Sequence, residues 1–218
     1  DAHLFTRNLA AICAQRGVQF QFDTQIERLQ ADGDGIASVH VRGREGPARL
    51  TADAVLVCLG VQSPFLLEPL GIRVPVYPVK GYSVTIPDAG ARAPTVCLTD
   101  EGYKLALSRL GNRLRVAGTA ELSGYDKTIN EVRCNAILKR VRELFPDAGD
   151  FERAEKWAGL RPATPGNVPV IGRTRVPRLY VNTGHGTLGW TLCAGSGRAI
   201  ADIIAGRTPA VDFRFWGN

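Results

Sequence analysis

The chain has 218 residues, 44% hydrophobic and 22% charged. That is enough apolar material to bury a substantial core and too much for a disordered polypeptide, and no apolar run approaches the roughly eighteen residues of a membrane helix. Its 27 Lys and Arg outnumber 21 Asp and Glu, giving +6, yet the cations are mostly Arg scattered without a dense basic run, so no nucleic-acid partner is expected.

Met is absent and the chain begins at Asp1, with neither signal peptide nor purification tag in Asp1-Ala2-His3-Leu4-Phe5-Thr6. A truncated or processed polypeptide is therefore expected. The five cysteines, Cys13, Cys58, Cys97, Cys134 and Cys193, show no C-x-x-C spacing. They are expected to be reduced thiols of a cytoplasmic protein, three of them buried in apolar segments.

In chain order, Leu4, Phe5, Leu9, Ile12 and Cys13 recur at helical spacing over residues 3–16, with Gly17 as the stop. Val18, Phe20 and Phe22 alternate as in a strand. A hairpin follows around Gly33-Asp34-Gly35, and the run Val55-Leu56-Val57-Cys58-Leu59-Gly60, apolar on both faces, predicts a buried strand. From about residue 71 to 160 short alternating segments separated by Gly, Asp and Asn predict an antiparallel sheet. One helix interrupts it, opened by a capping box of Thr128 and Glu131 and closed before Pro146. The last segment returns to a strand at Leu179-Tyr180-Val181, a glycine turn, and a helix running to Gly206. The pattern predicts an α/β (α+β) protein. Its outer segments, 1–70 and 161–218, form one domain, and residues 71–160 form an inserted sheet.

Two stretches carry candidate chemistry. In Asn182-Thr183-Gly184-His185-Gly186-Thr187-Leu188-Gly189-Trp190, three glycines satisfy G-x-G-x-x-G between a strand and a helix. A dinucleotide-binding βαβ unit also needs a second parallel strand ending in an acidic residue about 20 positions on, and the chain closes first. The turn and helix N-terminus still offer backbone N–H groups to an anion, or to a group that becomes anionic. Glycines serving only a tight strand–helix turn are the alternative. Upstream, Arg161 stands between an apolar strand and Pro162, where its planar fork suits a carboxylate held bidentately. A structural ion pair is equally open. With only His3, His40 and His185, neither a metal site nor a Ser-His-Asp triad is expected.

The pair of motifs "GLRPATPGNVPVIG" and "NTGHGTLGWTLCAGSG" resembles the FAD-dependent D-amino-acid oxidase superfamily, and within it the family of bacterial D-amino-acid dehydrogenase small subunits. The likeness extends through "LFTRNLAAICAQRGVQFQFDTQIERL", "VPVYPVKGYSVTIP", "YKLALSRLGNRLRVAGTAEL" and "TPAVDFRF", nearly the whole chain. The family's opening βαβ unit for the ADP part of FAD has no counterpart here, so the resemblance implies a C-terminal portion. Segments 1–70 and 161–218 would then be part of a Rossmann-like FAD domain around an antiparallel substrate domain.

By the same resemblance, Gly184, His185, Gly186, Thr187, Leu188, Gly189 and Trp190 should face the isoalloxazine ring. The helix dipole there would favour negative charge near N1 and C2=O as the flavin is reduced. Arg161 should hold the substrate carboxylate. Tyr82 and Tyr103, taken as strand residues, should line the pocket, or serve as cross-strand packing aromatics. His185 should orient substrate or cap a turn. Residues 18–22 resemble the strand that backs the adenine side.

The implied reaction is oxidative deamination of a D-amino acid to a 2-oxo acid and ammonia by hydride transfer from Cα to FAD. Electrons would pass to a quinone, with peripheral association at the cytoplasmic face of the inner membrane. The rivals are an amine oxidase of the same fold acting on glycine, sarcosine or another secondary amine, and a non-catalytic basic interaction module.

Overall fold

The computed structural model describes residues 1–213, so the end of the 208–215 motif lies outside the described residues. The chain divides into two compact units. One comprises Asp1–Tyr77 together with residues from Pro162 onward, and the other comprises Pro78–Arg161. No helix among the described residues is long and apolar enough to cross a membrane.

In the first unit, α1 (Ala2–Gln15) is capped by Asp1, whose carboxylate accepts from the Leu4 amide. Its stripe of Leu4, Phe5, Leu9 and Ile12 is exposed, and the helix buries no residue. Residues 18–22 do not form the expected strand. They carry no ladder, and Phe20 and Phe22 stack on one another at the surface. Alternation marks an extended segment, but a strand also needs a neighbour to bond, and none pairs with it among the described residues.

A meander follows. β1 (Gln25–Asp32), β2 (Gly35–Gly43) and β3 (Gly46–Leu50) pair antiparallel in that order. Gly35 closes the first hairpin at φ +118°, where the Ile36 amide donates to the Pro177 carbonyl at 3.0 Å and an added Cβ would lie 2.8 Å from the Pro177 Cβ. The buried strand expected over residues 55–60 shrinks to β4 (Val55–Val57), with Val57 buried and Leu56, Cys58 and Leu59 exposed. Among the described residues β4 is an edge strand, and the face that carries Leu56 is exposed.

The short helix α2 (Ser63–Leu67) carries Pro64 in its first turn and buries Leu66 and Leu67. In the first unit's other sheet, β10 (Val170–Arg173) runs antiparallel to β11 (Leu179–Thr183), which is parallel to β4. Leu29, Ile36, Leu67, Ile72, Leu179 and Val181 form the core beneath. Each such side chain contributes about 1.5–3 kcal/mol by leaving water.

The second unit is a five-stranded sheet. β5 (Tyr77–Ile86), β6 (Leu98–Asp100), β7 (Leu105–Leu110), β8 (Arg113–Glu121) and β9 (Glu155–Ala163) lie in the order β6-β7-β8-β5-β9. Against β8 packs α3 (Glu131–Leu144), burying Cys134, Ile137 and Val141 beside Val84, Ile86, Leu107 and Leu114. Its cap is Asn130 rather than Thr128. The Asn130 side chain accepts from the amides of Val132 and Arg133, while Glu131 pairs with Lys156. A Ser/Thr-x-x-Glu pattern places a cap by sequence alone, and the better-placed Asn two residues later takes the role.

One bulge interrupts the β5–β8 ladder. Gly81 pairs with Ala120 and Tyr82 with Gly118, leaving Thr119 unpaired at φ +57°. All five cysteines are free, but only Cys134 is buried. Cys58 and Cys193 sit on apolar segments that the fold leaves at the surface.

Candidate active site

β11 ends at Thr183, whose hydroxyl accepts from Ser63 at 3.1 Å and donates to the Gly60 carbonyl at 3.1 Å, fixing where the strand stops. The chain then turns through Gly184 at φ +79° and Gly186 at φ +53°, passes a 3-10 turn at Gly186–Leu188, and enters α4 (Gly189–Ile204). A Cβ on Gly184 would lie 2.7 Å from Cγ2 of Thr164, so both backbone conformation and space require glycine there. No side chain caps α4, which leaves the amides of its first turn without a side-chain acceptor.

Thr187, Leu188 and Trp190 are exposed around this turn, and Trp190 meets Phe5 of α1 edge-on at 5.3 Å. His185 Nε2 lies 3.0 Å from Ser196 Oγ, tying the turn to a point two turns into α4. Burial lowers the imidazole pKa, which keeps the ring neutral near pH 7. Along the same helix Thr191, Leu192, Ser196 and Ala199 border a largely apolar cavity of about 440 Å³. Near its end Asp202 is buried between Arg198 and Arg207, whose hydrogen bonds hold its carboxyl below the ordinary range, Arg207 most strongly.

The other candidates lie in the second unit. Arg161 stands on β9 beside β5. It is half-buried and makes no hydrogen bond or ion pair among the described residues, and burial alone pushes the guanidinium pKa down. The structural ion pair considered from sequence is therefore absent. Gly81 of β5 lies against it. A Cβ there would stand 2.5 Å from Arg161 Cζ, 2.9 Å from Nη1 and closer still to Nη2. The sequence reading passed over Gly81, although a glycine inside a strand pattern is the signal for a close approach.

Tyr82 is 1% exposed within the core of this unit, and its hydroxyl donates to Glu121. Lys80, 2% exposed, donates to Asp126 at 2.9 Å and to the Thr128 carbonyl at 3.1 Å, with Glu121 at 3.2 Å. Burial opposes the Lys80 charge, but bonds to Asp126, Tyr82 and Glu121 outweigh it and raise the pKa above the ordinary value. Tyr103 is no strand residue. It occupies the exposed turn between β6 and β7, where the Arg140 guanidinium lies 4.3 Å above its ring. Gly and Asp around it favour the turn over continued pairing. Arg161 and Tyr82 thus share a sheet, Tyr103 lies in a turn of that unit, and residues 184–190 belong to the first unit.

The sequence model of the FAD dependent oxidoreductase family (DAO) matches residues 1–203. A D-amino acid dehydrogenase of Paramagnetospirillum magneticum is 52% identical over 212 residues, covering 97% of this chain and 49% of that protein. A second, of Dechloromonas aromatica, is 52% identical over 217 residues, covering 99% and 52%. The chain spans about half the length of the curated relatives it matches. Among solved structures, glycine oxidase from Geobacillus kaustophilus superposes with a TM-score of 0.74 at 26% identity, covering 87% of this chain and 50% of that one.

Proposed function

This chain belongs to the FAD dependent oxidoreductase family, and from that premise we propose that the full-length protein oxidises D-amino acids to 2-oxo acids and ammonia. The observation that carries this reading is the half-buried Arg161 guanidinium with no acidic partner among the described residues. A cation held in that state is matched to an anionic ligand, and its planar fork fits an α-carboxylate through two parallel N–H···O bonds.

The glycine turn fits a flavin. Gly184 and Gly186 supply the left-handed backbone that brings the chain tightly from β11 into α4, and the uncapped start of α4 turns positive peptide dipoles outward, where a reduced ring becomes electron-rich. Residues Gly184 to Trp190 would hold that ring. When bound, FAD supplies the acceptor for the hydride that leaves the substrate Cα. Arg161 binds and orients the carboxylate, so its contribution is chiefly positional. His185, neutral and bonded to Ser196, holds the turn in register with α4. The naming of the curated relatives as dehydrogenases supports a final acceptor other than oxygen, and a quinone is the acceptor proposed.

The likeness to glycine oxidase favours one second reading, an oxidase of glycine, sarcosine or another secondary amine. Turnover of D-alanine, glycine and sarcosine by the full-length protein separates the two, with quinone reduction and peroxide release followed in parallel. D-Alanine is expected to turn over with quinone reduction. Turnover of sarcosine without D-alanine overturns the choice. Arg161→Ala is expected to raise KM about 10- to 100-fold, the worth of a charged hydrogen-bond pair, while bound FAD is retained. Unchanged kinetics remove Arg161 from the site.

A further inference from the structure

We infer that Gly81 is a positioning residue for the Arg161 guanidinium. The inference rests on Arg161 being the carboxylate-binding cation. β5 and β9 are neighbours in the sheet, and the guanidinium of one lies over the bare backbone of the other, with Cζ 2.5 Å and Nη1 2.9 Å from where a Cβ would stand. Real Cβ atoms do not come that close, so every other residue at 81 displaces the cation. No hydrogen bond or ion pair among the described residues holds the guanidinium. The missing side chain is thus the feature of the scaffold that sets where the cation rests.

Backbone conformation does not explain this glycine. Gly81 is absent from the residues at positive φ, so alanine is admissible to the main chain. The obstructing atoms belong to the far end of a flexible side chain, so an alanine moves the guanidinium rather than the strand. Beside Gly81 the ladder carries its bulge, and the partner residue Thr119 sits at φ +57° with a buried hydroxyl that lacks a partner. A β-branched residue in that conformation is strained. Both features set this stretch of β5 and β8 apart from the regular ladder that follows from Ser83 to Ile86.

The test uses the full-length protein with FAD bound and four forms: wild type, Gly81→Ala, Arg161→Ala and the double variant. Binding of benzoate, with uncharged benzamide as control, is read by calorimetry beside KM and kcat for D-alanine. Gly81→Ala is expected to weaken benzoate and raise KM about tenfold or more, on the scale of a charged hydrogen bond. Its kcat should stay within about twofold, with benzamide binding unchanged. In the Arg161→Ala background the same change is expected to do nothing further, because it acts through a group already removed. Independent, multiplicative losses overturn the inference, as does Gly81→Ala that binds benzoate like wild type or fails to fold. Should Arg161→Ala itself bind benzoate normally, the carboxylate reading falls and this one with it. A weakened Arg161→Ala beside a normal Gly81→Ala removes this one alone.

Discussion

A guanidinium taken partly out of water loses hydration that an ordinary protein returns through a carboxylate or a carbonyl. Among the described residues Arg161 receives neither, whereas Lys80, buried more deeply in the same unit, is held by Asp126, Glu121 and the Thr128 carbonyl. On the proposed reading of Arg161, the two cations illustrate the difference between a charge that builds the fold and one left for a ligand. Tyr82 belongs with Lys80, since its buried hydroxyl donates to Glu121. Tyr82→Phe is expected to cost about 1–2 kcal/mol in urea unfolding, because a carboxylate loses a donor. Gly184→Ala should cost more, about 2 kcal/mol, through a left-handed backbone and a clash with Thr164. Its melting temperature checks this.

Among the elements, those with strong local signals formed close to where their periodicity put them: α1, the β1–β2 hairpin, the long strands β5 and β8 of the second unit, and α4. The misplacements share one cause. Residues 18–22 and 55–60 have the composition of strands, but pairing and burial are properties of neighbours, and these segments lack them on at least one side. The cap of α3 moved from Thr128 to Asn130 because side-chain reach, not motif spacing, decides which oxygen meets the first amides. Asn130→Ala should therefore destabilise the chain by about 1 kcal/mol in thermal unfolding, while Asn130→Asp, which keeps the capping oxygen, should cost less. At the bulge, Thr119→Asn should stabilise by about 0.5–1 kcal/mol, since asparagine tolerates the left-handed region that a β-branched residue resists. Denaturant midpoints measure both.

For the molecule as a whole, pH dependence follows from its held carboxylates. Asp126 lies well below its ordinary value through bonds from Thr128 and then Lys80. Glu121 is lowered by Tyr82 and then Lys80, Asp100 by Arg140, and Asp202 by Arg207 and Arg198. Each has a folded pKa below its unfolded one, so its stabilisation is complete above the unfolded value and is lost as pH falls through the folded one. Melting temperature is expected to be level from about pH 7 to 8, to ease downward below about pH 6.5 as the buried His185 must take up a proton, and to drop most steeply below about pH 4.5. Asp126→Asn should flatten part of that drop. The exposed stripe of α1, with Phe20, Phe22, Leu56 and Trp190, presents much apolar surface to water. The 218-residue chain by itself is expected to bind a hydrophobic dye strongly, and the full-length protein weakly.

The sequence alone determined what depends on near neighbours: hydrophobic period, turn chemistry, the glycine run at 184–189, and an arginine set between an apolar strand and a proline. It also carried the resemblance on which the cofactor and reaction class rest. Only the tertiary structure decided which side chains have partners. It withdrew Tyr82 into a core, left Tyr103 in a turn, and paired Lys80 while leaving Arg161 unpaired. It also set Gly81 beneath the guanidinium from eighty residues away. Spacing along a chain encodes local conformation. Burial and charge pairing arise between residues distant in sequence, and so does the empty space a glycine leaves, because folding alone brings such residues together.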